Sequence, residues 1–156
     1  MSLITVPKKV YMDAVAAEGE TELNAFDNCL IKAKLPHVSL IKVTSILPPN
    51  IELVNEIPKI PIGANVPSIY IYVHSSTPGE TIAVAIALGW TNGGPALVAE
   101  FGAQGISKEE AEQEALKRLE GMAEARNLKI VRKHVVSVDH TVEKCGCVLG
   151  IVAEVA

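Results

Sequence analysis

Val38-Ser39-Leu40-Ile41-Lys42-Val43-Thr44-Ser45-Ile46-Leu47-Pro48-Pro49 is the stretch on which the reading of the whole chain turns. Val38, Leu40, Ile41 and Val43 favour extended backbone and the paired prolines cannot continue a ladder, so the spacing predicts one strand that alternates and then stops. Two hydroxyl residues, Thr44 and Ser45, then stand side by side at a strand end. There the sheet fixes the chain on one side and the prolines restrict it on the other, a setting in which a peptide bond can be held under strain. Taken alone, two hydroxyls before prolines describe a plain turn. A second chemistry is open to them. A serine hydroxyl lying against the preceding carbonyl attacks it, converting the Thr44–Ser45 amide into an ester by an N-to-O acyl shift. The ester eliminates across the serine Cα–Cβ bond, and the dehydroalanine so formed hydrolyses to a pyruvoyl group heading a new chain. Threonine would leave a longer keto acid, which puts the break before Ser45 and not before Thr44.

The 156 residues suit a single domain, 1–156, able to bury roughly two-thirds of its unfolded surface. A formal net charge of −4 and a pI near 5.6 argue against a nucleic-acid partner, which would call for a basic face to release counterions. A small cationic ligand suits that balance better. The segment Met1 to Ala17 places Lys8 and Lys9 after its first apolar residues and reaches no signal-peptide core, and no later apolar run approaches the ~20 residues of a membrane span. A soluble cytoplasmic protein with no membrane partner is the expectation. Cys29, Cys145 and Cys147 leave one thiol over under any intramolecular pairing, so reduced thiols are the default. Cys145-Gly146-Cys147 has no second cysteine or histidine cluster at ligand spacing, and no metal is expected.

Taken in order, Val6 to Ala17 is weakly extended and Glu18-Gly19-Glu20 is a turn. Thr21 opens a helix whose Leu23, Phe26 and Leu30 fall at helical spacing, ending at Leu35-Pro36. Asp27 lies one step off that stripe. As a residue it is either a solvated surface carboxylate or an anion suited to a guanidinium fork. Residues 50–61 read as a connecting loop. Asn65 to His74 and Glu80 to Trp90 alternate with a period of two, and together they read as a long hairpin with one face of alanines, suited to close packing. A short strand from Ala96 to Phe101 follows. Ser107 with Glu110 forms a capping box, and Ala111, Ala115, Leu116, Leu119, Met122 and Ala123 make an amphipathic stripe to Asn127. Leu128 to Val138 and Cys145 to Val155 read as strands around a tight polar segment at 139–143. The order suggests a duplicated β-α-β-β unit in a layered α/β sandwich, without identity between halves that would prove a repeat.

Four segments, in order along the chain, carry a resemblance: Glu18-Gly19-Glu20-Thr21-Glu22-Leu23-Asn24-Ala25-Phe26-Asp27, Thr44-Ser45-Ile46-Leu47-Pro48-Pro49, Pro78-Gly79-Glu80-Thr81-Ile82, and His140-Thr141-Val142-Glu143-Lys144 with Gly146-Cys147. Together they resemble the pyruvoyl-dependent arginine decarboxylases over nearly the whole chain. The resemblance implies a four-layer αββα sandwich and a homotrimer, or a dimer of trimers, with active sites between subunits. It implies self-cleavage into 1–44 and 45–156, a pyruvoyl group derived from Ser45, and conversion of L-arginine to agmatine and CO2 through a Schiff base with the substrate amine, without pyridoxal phosphate or a metal. It assigns substrate binding to Asp27 and catalysis to Glu100 as general acid. The residues themselves leave Glu100 open between water at a strand end and an apolar setting, after Ala96-Leu97-Val98-Ala99 and before Phe101, that raises a carboxyl pKa. The family commonly has serine where this chain has Thr44, and an asparagine implicated in processing where it has Ser39, whose hydroxyl can still donate to an oxyanion. His140, Glu143 and Lys144 match family positions but read as a polar turn, and His37, His74 and His134 carry no assigned chemistry. Two alternatives stand beside this reading. One is an uncleaved, non-catalytic relative that binds an amine or a protein partner; the other is a decarboxylase of another amino acid, for which Asp27 has no role.

Overall fold

Strand Thr81–Thr91 shows why the molecule is layered, because it is apolar on both faces. Its Ile82, Val84, Ile86 and Leu88 pack into cores shared with the other sheet. Ala83, Ala85 and Ala87 pack against helix residues Ala111, Ala115, Leu119 and Ala123. A strand buried on both sides must lie inside a sheet that is itself covered on both sides. The computed structural model describes residues 4–156, so Met1 to Leu3 of the N-terminal segment lie outside the described residues.

Nine strands and two helices follow one another as β1 (Lys9–Glu18), α1 (Glu22–Lys32), β2 (Ser39–Lys42), β3 (Ile46–Leu47), β4 (Glu52–Val54), β5 (Asn65–Ser75), β6 (Thr81–Thr91), β7 (Ala96–Gln104), α2 (Lys108–Ala125), β8 (Ile130–Thr141) and β9 (Gly146–Glu154) among the described residues. They form a five-stranded sheet, β2-β5-β9-β1-β4, and a four-stranded sheet, β3-β7-β6-β8. Helix α1 covers the first sheet through Ala25 and Cys29 against Cys147, Leu149 and Ile151. With α2 over the second sheet, the layers run α, β, β, α, as expected. Each half of the chain builds most of one helix-covered sheet and sends one strand across, β3 in one direction and β9 in the other.

The helices begin where the sequence placed them. The Thr21 hydroxyl accepts from the Asn24 N–H, and Ser107 with Glu110 forms the full capping box. Three expectations are corrected. β5 and β6 are not a hairpin: β5 pairs with β9 and β2, β6 with β7 and β8, and the turn between them crosses from one sheet to the other. Both strands bury one apolar face against each other's layer, and a period of two fixes the face without fixing the partner. The supposed loop 50–61 contains β4, a three-residue edge strand parallel to β1. His140 and Thr141 belong to β8, not to a tight turn. No helix among the described residues is long and apolar enough to cross a membrane.

Candidate active site

The strand expected to end near the Thr44-Ser45 pair stops at Lys42, and extended chain resumes beyond the pair in the other sheet. β2 ends at Lys42 in the first sheet, β3 begins at Ile46 in the second, and Val43-Thr44-Ser45 spans the gap between the layers. Both ends of this crossover are pinned. The Val43 N–H donates to the Ser68 carbonyl at 3.0 Å, and the Ser45 carbonyl accepts from the Val98 N–H at 2.9 Å. The Thr44–Ser45 bond therefore lies between two fixed points in different sheets, with Thr44 exposed and Ser45 half-buried. Neither residue takes a left-handed φ, so the strain expected from the flanking prolines is not stored in that angle. The break follows from the chain's task here. One strand cannot remain in one sheet and supply an edge to the sheet above it.

Glu100 is set by β7. Ala96 and Val98 face the core between the sheets, while Leu97, Ala99 and Phe101 face α2. Strand alternation thus puts Glu100 on the inner face with Ala96 and Val98. β3 pairs with β7 as Ile46↔Leu97 and Leu47↔Ala96, and Ser45 continues that register to Val98. Two residues further, Glu100 lies level with the crossover. One of its carboxylate oxygens, Oε2, is buried without a hydrogen-bond partner. Burial pushes the Glu100 carboxyl above the usual carboxylate range, and the Lys42 and Arg118 charges pull only part of the way back. Lys42 also lies over the Tyr70 ring, 5.0 Å from its centroid. Arg118 lies over Phe101 at 4.6 Å and pairs with Glu114 at 3.2 Å. Neither cation's role is legible in the pattern of residues, where Arg118 reads as part of a solvated helix face.

Asp27 lies on α1 and Ser39 at the start of β2, outside the crossover itself. Ala25 and Cys29 take the buried side of α1, which turns Asp27 outward, exposed between Leu23 (75% exposed) and Ile31 (52%) one helical turn away on either side. Ser39 opens β2 opposite Asn65, and roughly 10 Å of strand separates it from Lys42 before the crossover begins. The site formed by a single chain is thus the crossover, Glu100 and the two cations.

At the end of β1, the motif residues left without chemistry form a clasp. The Glu18 carboxylate is 2.6 Å from His140 Nε2 and accepts from the backbone N–H groups of Lys144 at 2.7 Å and Glu143 at 3.3 Å. Burial pulls the Glu18 pKa up, but the His140 and backbone hydrogen bonds outweigh it and hold the carboxyl low. Lys144 Nζ also pairs with Glu20. Two glycines make room for this arrangement. A Cβ on Gly146 would lie 2.6 Å from Glu18 Oε2, and one on Gly19 would lie 2.4 Å from the Ala25 nitrogen in the first turn of α1. His74, which the sequence left as ordinary, is 3.1 Å from Glu22 and stacks on Tyr72. No group of three or more His, Cys, Asp or Glu side chains suited to a metal occurs among the described residues.

Ser45 fits a pyruvoyl group made in place, since the backbone on both sides of it is anchored and the buried, unpartnered Glu100 oxygen lies on the same side of β7. Comparison with known proteins agrees with that chemistry. The sequence model of the family described as pyruvoyl-dependent arginine decarboxylase matches residues 9–154, the span from the first residue of β1 to the last of β9. The pyruvoyl-dependent arginine decarboxylase of Pyrococcus furiosus is 42% identical over 145 residues, covering 92% of this chain and 90% of that protein. That of Methanocaldococcus jannaschii is 39% identical over 150 residues, 95% of this chain and 90% of the relative. That of Methanothermobacter thermautotrophicus is 36% identical over 149 residues, 96% and 97% respectively.

Proposed function

We propose, on the premise that this chain belongs to the pyruvoyl-dependent arginine decarboxylase family, that it converts L-arginine to agmatine and CO2 with a pyruvoyl group made from its own Ser45. The observation that carries the residue assignment is the crossover: the only two hydroxyls of this segment beyond β2 bridge two sheets, level with a half-buried carboxyl that has one oxygen unpartnered. When formed, the group supplies a carbonyl electron sink for the electron pair left at the substrate Cα as CO2 departs, so pyridoxal phosphate is not needed.

The remaining work falls to the chain's own side chains. Ser45 Oγ attacks the Thr44 carbonyl and displaces the Ser45 nitrogen; elimination then releases the Thr44 carboxylate, and water replaces the nitrogen, which leaves as ammonia, so the chain parts into 1–44 and 45–156. Both new ends stay attached to a sheet, through Val43 on one side and Val98 on the other. Glu100, whose partly buried setting raises its carboxyl pKa, is the general acid that delivers a proton to Cα. Asp27 takes the guanidinium as a bidentate fork, with Leu23 and Ile31 against the aliphatic stem. With Asp27 on the exposed side of α1 and Ser39 at the start of an edge strand, the complete site takes them from a neighbouring copy, as a homotrimer or a dimer of trimers. The exposed Leu23 and Ile31 beside Asp27 support an interface there.

The test is intact mass under denaturing conditions, with and without borohydride in the presence of arginine. Two masses, for 1–44 and for 45–156 with a modified first residue that gains a reduced adduct, are expected. A full-length chain with an ordinary Ser45 that still releases CO2 from arginine overturns the mechanism; the same chain without CO2 release favours the non-catalytic relative.

A further inference from the structure

We infer that Cys29 and Cys147 are the two halves of a disulfide site that can join segment 1–44 to segment 45–156 across the proposed break. Cys29 is on the face of α1 that meets the first sheet, and Cys147 is on the face of β9 that α1 covers. Both side chains are fully buried. Cys29 Sγ donates to the Cys147 carbonyl at 3.3 Å, so the sulfur on α1 already lies against the main chain of Cys147. A disulfide asks for two facing positions with Cβ atoms about 4 Å apart, and two cysteines packed in one cluster across a helix–sheet interface need only a closing movement to meet it. Cys145 is outside this arrangement, with its sulfur 3.4 Å from Ser76 Oγ and 3.7 Å from the Glu20 carbonyl oxygen.

The pair is chemically unequal. The hydrogen bond from Cys147 holds the Cys29 thiol below its ordinary range despite burial, with Lys32 adding its charge. The same bond, together with burial, pushes Cys147 up. Cys29, carried on the helix that must lift before an oxidant can enter, is the sulfur that attacks first. Its thiolate attacks one sulfur of a dissolved small-molecule disulfide, such as oxidised glutathione, and expels one glutathione thiolate. The Cys147 thiolate then attacks the Cys29 sulfur of the mixed disulfide and expels the second. The two protein thiols lose two protons and two electrons, which leave as two reduced glutathione molecules. Because neither sulfur meets solvent, exchange runs through transient lifting of α1, an 11-residue helix of the kind that opens locally. The link would tie α1, and with it Asp27 two residues from Cys29, to the segment that carries Ser45 and Glu100.

The inference rests on the proposed cleavage only for its joining of two segments, and the experiment separates the two. Wild-type and Cys145→Ser proteins are warmed with oxidised glutathione or with dithiothreitol, alkylated in denaturant and mapped without reduction. Trypsin leaves Cys29 in 10–32 and leaves Cys147 with Cys145 in 145–156, which is why Cys145→Ser is needed. A linked 10–32/145–156 pair in both proteins is expected, absent after dithiothreitol and absent from Cys29→Ala. The non-reduced intact mass should equal both segments together less two hydrogens, parting into two on reduction. If the chain is uncut, the linked peptides still form while the reduced mass stays full-length, which supports this inference and counts against cleavage. Alkylation of both Cys29 and Cys147 after the oxidant, or their recovery only as separate glutathione adducts, overturns it.

Discussion

Replacing Glu100 by glutamine exchanges one oxygen for an NH2 group and should move activity and stability in opposite directions. Only Oε2 is both buried and unpartnered, so the amide can place its carbonyl there and turn its NH2 toward the other, less confined position. The fold then trades a desolvated acid for a neutral group of the same shape. The sign follows from the direction of the shift. A carboxyl whose folded pKa is raised contributes stability that is complete below its unfolded pKa, near 4.3, and lost as pH rises through the folded value. Wild-type protein should lose that contribution toward neutral pH and Glu100→Gln should not, so the variant melts no lower than wild type at pH 8. Turnover should fall by about 10²–10⁴, the usual contribution of a general acid and roughly 3–5 kcal/mol of barrier. Cleavage at 44–45, which uses the Ser45 hydroxyl and the Thr44 carbonyl, should go on, so that a mass spectrum confirms that processed enzyme is being assayed. CO2 release from labelled arginine and thermal melts at pH 5 and pH 8 give both readouts. A variant that retains more than a tenth of wild-type kcat, or that melts well below wild type at pH 8, would refute the placement of a buried acid at the reacting carbon.

Lys42 draws the Glu100 carboxyl downward, so Lys42→Met should shift the limb of the kcat–pH profile that reports this acid to higher pH, while Lys42→Arg leaves it in place; an unmoved limb in both would separate Lys42 from Glu100. Asp27→Asn should raise KM for arginine at least tenfold with a smaller change in kcat, since a buried or bidentate charged pair contributes about 1.5–3 kcal/mol to binding, and an unaltered KM would point to a different amino acid as substrate. Gly19→Ala should destabilise the fold by about 1–3 kcal/mol in a denaturant titration, because its Cβ would meet main-chain atoms of Asn24 and Ala25 that cannot turn aside; a neutral result would mean that α1 is free to shift.

Local signals carried much of this structure. Caps at Thr21 and Ser107 fix both helix starts because each satisfies an otherwise orphaned N–H within its own helix. The alanine face of β6 foretells a close helix contact, which α2 supplies. What sequence could not show is any choice between partners. Strand β5 pairs equally well on paper with its neighbour β6 as with β9, whose paired residues lie 71 to 85 positions away, and only the closing of two sheets selects β9. The same limit explains the misread crossover. The Thr44-Ser45 pair marks a strand end, but nothing local shows that the two residues after it, Ile46-Leu47, join a different sheet.

The candidate site repeats this division. Ser45 and Glu100 are recognisable through resemblance and through the chemistry open to each, yet their common location depends on β3 joining β7, a two-residue pairing too short to read from pattern. Glu18 and His140 are 122 residues apart, and their bond becomes legible only when β1 and β8 are known to approach each other. That clasp sits where the chain returns from β8 to β9, and Gly146 leaves no space for a side chain beside it. The motif around His140 thus has a structural reason to persist without any part in the reaction. It holds β9 at the centre of the first sheet, where its neighbour β5 offers the Ser68 carbonyl to Val43 and so fixes one end of the crossover. The residues that look most like chemistry in the linear sequence and the bond on which the chemistry is proposed to act are therefore connected through strand register, not through direct contact.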